Sequence, residues 1–190
     1  TRSVTSIGDP DSPVTTVSPE DGQHHAYPEM ALLASGDFVI VWESGPTPAS
    51  QNTDILARLY NPDGSPKTDA FSVNSVKTGQ QTKPDVVALN DGRFIVAWES
   101  HESGDGQILF QRFKSDGSKQ GSGITVNQSA SGDQSNPSMV VLATAKIAFV
   151  YESDLGVENG DRDVLVRLFS SGGLGDGAEF SVLNDGTGDQ

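Results

Sequence analysis

The chain has 190 residues, 34% of them hydrophobic and 7% aromatic, with 21 Gly and 10 Pro; a composition this lean in core formers and rich in turn formers favours many short strands over packed helices. Its formal net charge of −14 repels nucleic acid and anionic membrane at long range, so neither is an expected partner. The absence of cysteine excludes disulfides, thiolate metal sites and a cysteine nucleophile, and no apolar run approaches the ~18–20 residues of a membrane span.

In chain order, the start at Thr1, Arg2 and Ser3 has no charged-then-apolar signal layout, which suggests a mature product or an excerpt of a longer chain. Residues 14–17 read as a short strand. Pro28 then opens the first of three similar units, with Pro84 and Pro137 opening the others at steps of 56 and 53 residues. The aromatic–Glu–Ser endings Trp42-Glu43-Ser44, Trp98-Glu99-Ser100 and Tyr151-Glu152-Ser153 keep the same steps. An arginine in a later apolar run, at Arg58, Arg112 and Arg167, keeps steps of 54 and 55. A period of this length marks a repeat architecture.

Each unit contains four strand-like runs. The first follows the proline (29–33, 85–89, 138–142), and a turn of the Asn-Asp-Gly type leads to the second, the run ending in aromatic–Glu–Ser. An acidic, variable loop leads to the third run (55–60, 108–113, 164–169). A turn such as Pro62-Asp63-Gly64, where Pro presets φ and Gly supplies a positive one, precedes the short fourth run (71–74, 124–127, 180–183). The second run is apolar at nearly every position and so covered on both faces; the fourth is half polar, like an edge. The expected fold is all-β, with three four-stranded antiparallel blade-like repeats in a β-propeller-like arrangement; a β-solenoid and a sandwich of hairpins are the alternatives. The expected divisions are 1–27 (an orphan edge strand and lead-in), 28–83, 84–136, and 137–190, which ends on the lead-in to a fourth unit. Three blades are few for a closed ring, so a homo-oligomer or a longer repeat array is expected.

The motif Pro-x-Val, Leu-x-Asp-Gly-x-Phe-Ile-Val-Ala-Trp-Glu-Ser, an acidic Gly-rich loop, Ile-Leu-Phe-Gln-Arg-Phe, Ser-Asp-Gly and Ile-Thr-Val-Asn resembles repeats of large secreted bacterial proteins of the RTX-like and adhesin type. The resemblance spans Pro28 to Asn184. It implies a secreted or cell-surface location and a binding or spacer role, with a glycan or a cell-surface or matrix protein as partner.

Three kinds of chemistry suggest themselves. Asp154, Glu158, Asp161 and Asp163 in the third acidic loop, with Glu102 and Asp105 in the second, are candidate oxygen ligands for calcium, the expected ion; they also suit a plain solvated loop. Trp42, Glu43 and Arg58, Trp98, Glu99 and Arg112, and Tyr151, Glu152 and Arg167 are candidate ligand-binding sets. An aromatic ring can cover the apolar face of a sugar while charged groups bind its hydroxyls, as in a lectin; the alternative is an aromatic core with cross-strand Glu–Arg pairs. No Ser-His-Asp layout, phosphate loop or zinc spacing is present, and His24, His25 and His101 have no repeat partners. The expectation is therefore a non-catalytic, extracellular binding or structural module, with a carbohydrate-binding propeller lectin as the alternative.

Overall fold

The computed structural model describes residues 16–102, 104–154 and 162–182. The turns explain why each unit folds back on itself. Leu33 N–H donates to Asp37 O at 2.8 Å and Gly36 N–H to Leu33 O at 2.9 Å; Leu89, Gly92 and Arg93 repeat the pattern, with Gly36 and Gly92 at φ of 88° and 85°. In the third unit Ala145 occupies that left-handed position, at φ 60°. The resulting strands are β1 (His24–Leu32), β2 (Phe38–Gly45), β3 (Asp54–Tyr60), β4 (Phe71–Ser72), β5 (Gln81–Ala88), β6 (Phe94–Ser100), β7 (Gln107–Phe113), β8 (Lys119–Thr125), β9 (Gln134–Val141), β10 (Lys146–Ser153), β11 (Asp163–Ser170) and β12 (Phe180–Ser181).

They form three four-stranded antiparallel sheets, each in chain order: β1–β2–β3–β4, β5–β6–β7–β8 and β9–β10–β11–β12. The all-β, blade-like, β-propeller-like architecture read from the sequence is the one the chain adopts. An asparagine after the fourth strand ties each of the first two blades off. Asn74 Oδ1 accepts from Ile55 N–H at 2.8 Å and Asn127 Oδ1 from Ile108 N–H at 2.9 Å, which continues the pairing of the third strand past the end of the outer one by side-chain bonding.

The core lies between blades. Val39, Val41, Ile55, Ala57 and Leu59 of the first blade meet Phe94, Val96, Trp98 and Phe113 of the second. The other face of the second blade, with Ile95, Ala97, Ile108 and Phe110, meets Ile147, Phe149, Tyr151 and Phe169 of the third. The middle blade is thus apolar on both faces, as its near-continuous second run required. The outermost faces keep apolar residues in solvent, among them Met30, 63% exposed, on one side and Phe180, 53% exposed, on the other.

One boundary differs from the sequence reading. The innermost strands begin at His24, Gln81 and Gln134, ahead of Pro28, Pro84 and Pro137 rather than after them. In each blade the pairing slips at the proline, between Ala26 and Glu29, Thr82 and Asp85, and Ser135 and Ser138. Proline has no N–H to give a ladder, so a bulge is where a strand can carry it; here it marks a kink inside the strand.

Candidate functional site

The three bulges build the site. The residue before each proline has a left-handed backbone: Tyr27 at φ 49°, Lys83 at 49° and Asn136 at 53°. Non-glycine residues pay to sit there, and such strain gathers where geometry serves a function. The residue after each proline is Glu29, Asp85 or Ser138. Because β1, β5 and β9 pack side by side as the innermost strands, all of these residues converge on one open cleft of about 390 Å³ near the blade axis.

Two carboxyl groups share that cleft under different conditions. Asp85 is half-buried; its Oδ1 accepts from Val86 N–H at 2.8 Å, and its Oδ2 from Met139 N–H of the next blade at 2.5 Å. Burial pushes the Asp85 carboxyl above the ordinary aspartate range and the nearby Glu29 charge adds to this, outweighing the two N–H donors. Glu29 is exposed. A carboxyl raised by burial and an exposed acidic side chain thus line one open cleft. Behind them Lys83 Nζ lies 3.2 Å from Glu99 Oε2. Sequence reasoning passed over Glu29 and Asp85. The available signal was an acid directly after the proline in the first two units, replaced by Ser138 in the third.

The Trp–Glu–Arg sets do not assemble as units. Arg58 pairs across from Ile40, two positions from Trp42, so Arg58 and Trp42 share a face while Glu43 points the other way. Glu43 and Glu99, both buried, reach the next blade: Glu43 Oε2 accepts from Thr82 Oγ1, and Glu99 Oε2 from Asn136 N–H at 3.2 Å, with His101 Nε2 2.7 Å from Glu99 Oε1. Glu152, on the outer face of the third blade, binds Arg162 at 2.9 Å. Arg58 Nε donates to Thr68 O at 2.9 Å and its guanidinium to Val17 O, 3.5 Å away. Arg167 donates to Val126 O, the carbonyl of the blade before it, and stacks 4.9 Å from the Phe169 ring.

Arg112 is not their counterpart. With the aromatic residues aligned, the position of Arg58 and Arg167 is held in the second blade by Gln111, opposite Val96; Arg112 lies opposite Ile95. The one-residue offset turns Arg112 to the opposite face. Trp42, Trp98 and Tyr151 are 3%, 2% and 1% exposed, core residues rather than open platforms. The Tyr151 hydroxyl donates to Glu179 Oε2 at 2.5 Å, and burial with that neighbouring carboxylate holds it protonated, its pKa far above the ordinary tyrosine value.

Of the calcium candidates, Glu102 and Asp105 are exposed, Asp154 Oδ1 accepts from Asp133 N–H at 2.7 Å, and Asp163 begins β11 opposite Ser153. Glu158 and Asp161 lie outside the described residues. Among the described residues no group of three or more His, Asp or Glu side chains is placed to hold a metal ion.

No protein-family model matches the chain, and no curated protein matches it by sequence. Solved structures do resemble it in fold. A protein of unknown function from Dyadobacter fermentans has a TM-score of 0.65 at 13% identity, over 85% of this chain and 54% of that one. Zg3597, a family 117 glycoside hydrolase of the marine bacterium Zobellia galactanivorans, has a TM-score of 0.57 at 11% identity, over 88% of this chain and 58% of that one. The GH43 endo-arabinanase from Bacillus licheniformis has a TM-score of 0.48 at 14% identity, over 83% and 58%. The chain thus spans little more than half the length of the structures it matches. These likenesses correct the expectation of a chain without enzymatic activity: a glycoside hydrolase is built on this fold, so strand-rich repeats lacking catalytic sequence motifs are no ground for excluding catalysis.

Proposed function

We propose that the chain supplies three blades, and one wall of the reactive cleft, of a carbohydrate-active β-propeller. The observation that carries this is the pairing of Asp85 with Glu29 in the axial cleft, set on strained proline bulges. Cleavage of a glycosidic bond needs one carboxyl that donates a proton to the leaving oxygen and one that acts as a carboxylate. Asp85, raised by burial, fits the first role, and exposed Glu29 the second. The backbone N–H groups of Val86 and Met139 hold the Asp85 carboxyl in place, and Lys83 and Asn136 offer donors to sugar hydroxyls at the rim. The fold shared with a family 117 glycoside hydrolase supports a carbohydrate as the substrate class.

The test is a panel of polysaccharides assayed for released reducing ends and for retardation of the protein in polysaccharide-containing native gels. Asp85→Asn and Glu29→Gln are run beside the wild-type chain. The reading expects release of reducing ends from at least one polysaccharide, reduced at least about a hundredfold in Asp85→Asn, with retardation retained. Neither release nor retardation on any polysaccharide contradicts it, as does full activity in both variants.

The exposed apolar residues on the two outermost blade faces favour a second statement within the same reading. The three blades work beside further blades, from a longer secreted repeat array or from another copy.

A further inference from the structure

One large side chain of the axial cleft has no part in the chemistry assigned to Asp85 and Glu29. Tyr27 stands immediately before Pro28, where the second and third blades carry Lys83 and Asn136, and all three line the cleft. Its backbone is left-handed, at φ 49°, a conformation that asparagine tolerates and a bulky aromatic residue rarely adopts. The side chain gains little burial in return, for Tyr27 is 55% exposed. The position opens on the axis even where a blade precedes it. Lys83, with a blade packed on either side, is part-exposed there, and Asn136, with the second blade before it, is exposed. A large ring held in solvent at a strained point is the arrangement of a binding surface rather than of a core.

The charges of the cleft narrow what such a ring would meet. Its walls carry two acids, Glu29 and Asp85, and one cation, Lys83. The Lys83 ammonium is balanced from within the protein. It lies 3.2 Å from Oε2 of buried Glu99, and its field reaches Glu152. Burial raises the Glu152 carboxyl, but Arg162, the Asn136 side chain and the Lys83 charge together hold it below the ordinary glutamate range. Lys83 therefore keeps N–H donors for a hydroxyl but has no surplus charge for a carboxylate or a sulfate, and the exposed Glu29 repels both.

We propose that Tyr27 is the platform on which the axial cleft seats a neutral sugar ring. The negative face of the phenol ring attracts the weakly positive C–H face of a pyranose, and tyrosine loses little side-chain freedom in holding it. Lys83 and Asn136 meet hydroxyls at the edge of the sugar, while uronic and sulfated residues find no free cation. Glu29 lies two positions further along β1 and lines the same cleft, so the platform adjoins the acidic residues. The choice of a sugar rests on the carbohydrate reading above; the platform and the exclusion of anions are added to it.

Tyr27→Asn installs the residue that the third blade has at this position and spares the bulge, whereas Tyr27→Phe keeps the ring. Both variants and the wild-type chain are run in native gels containing neutral polysaccharides (a β-glucan, a galactan, an arabinan, a xylan and a mannan) or anionic ones (polygalacturonate, alginate and carrageenan). At least one neutral polysaccharide should retard the wild type, with the apparent Kd raised about tenfold or more in Tyr27→Asn and little changed in Tyr27→Phe. The other two tyrosines, Tyr60 and Tyr151, are buried, so the wild type alone gives a second readout. Oligosaccharides of the retarding polysaccharide should shift the Tyr27 ring resonances saturably and leave those two in place. Unmoved Tyr27 resonances overturn the platform, and so does equal retardation of Tyr27→Asn and wild type. Equal loss in both variants overturns it too, since the contact then belongs to the hydroxyl. An anionic polysaccharide that retards as strongly as the best neutral one overturns the neutral assignment. No retardation by any of them overturns the platform and the carbohydrate reading together. The two also fail separately. Reducing-end release that Asp85→Asn abolishes but Tyr27→Asn leaves unchanged in kcat and KM keeps the reading and sinks the platform. Tyr27-dependent retardation without Asp85-dependent release keeps the platform and sinks the catalytic roles of Asp85 and Glu29.

Discussion

Asp85 Oδ2 accepts the backbone N–H of Met139 at 2.5 Å, across the seam between the second and third blades. The same carboxyl thus locks two blades together and lines the axial cleft. Asp85→Asn can keep only one of its two backbone donors, and is expected to cost about 1–2 kcal/mol at pH 3. The pH dependence has a definite sign. A carboxyl raised in the fold binds its proton more tightly there than in the unfolded chain, so the wild type loses stability as pH rises from the ordinary aspartate value to the raised one. Asparagine does not titrate, so the gap between variant and wild type should narrow towards pH 7. Urea melts at several pH values measure it; a gap that widens as pH rises contradicts the account.

Arg167→Ala removes the donor to Val126 O and the stack on Phe169, leaving a carbonyl at the blade seam without its partner. A loss of about 2 kcal/mol is expected by urea melt. Arg112→Ala should lose less: the Nε of both arginines is buried without a partner, but Arg112 lies on the other face and, of the two, it is Arg167 that holds a seam carbonyl and an aromatic ring.

Much of the fold was legible because it is written three times. Shared steps of the prolines and of the aromatic–Glu–Ser endings located the blades, and Asp-Gly chemistry located the turns. The arginine step misled. Steps of 54 and 55 look like the period, but the true partners of Arg58 are Gln111 and Arg167, at steps of 53 and 56. The loop between the second and third strands changes length from unit to unit, so position along the chain is an unsafe guide to face. Pairing Glu43 with Arg58 failed for a related reason, since parity within a hairpin depends on register that the turn alone does not reveal. The axial pair was illegible because Glu29 and Asp85 are 56 residues apart and meet only when adjacent blades pack. The third unit, with serine at that position, also broke the pattern.

Gln81→Ala should leave Trp98 Nε1 buried without its acceptor and cost about 2–3 kcal/mol. Gln134→Ala should cost less, because Gln134 Oε1 has no partner to lose, the third blade carrying Tyr151 where a tryptophan would donate. Paired thermal melts of the two variants check the order.

Ala145→Gly should stabilise the chain. Ala145 holds the left-handed turn position that Gly36 and Gly92 hold in the other blades. A Cβ there costs roughly 1–2 kcal/mol, partly offset by the greater freedom of glycine in the unfolded chain. The expected net gain is about 0.5–1 kcal/mol, read from chemical denaturation; a destabilised variant contradicts the shared turn geometry.

The coupling of Asp85 to Glu29 across the axial cleft is most directly measured by carboxyl ¹³C NMR titration of Asp85 in the wild-type chain and in Glu29→Gln. The account predicts that Asp85 titrates above the ordinary aspartate value and that Glu29→Gln moves it down, with burial still holding it somewhat raised. An Asp85 that titrates at or below the ordinary value, or that ignores the loss of the Glu29 charge, would contradict the pair and the carbohydrate chemistry built on it.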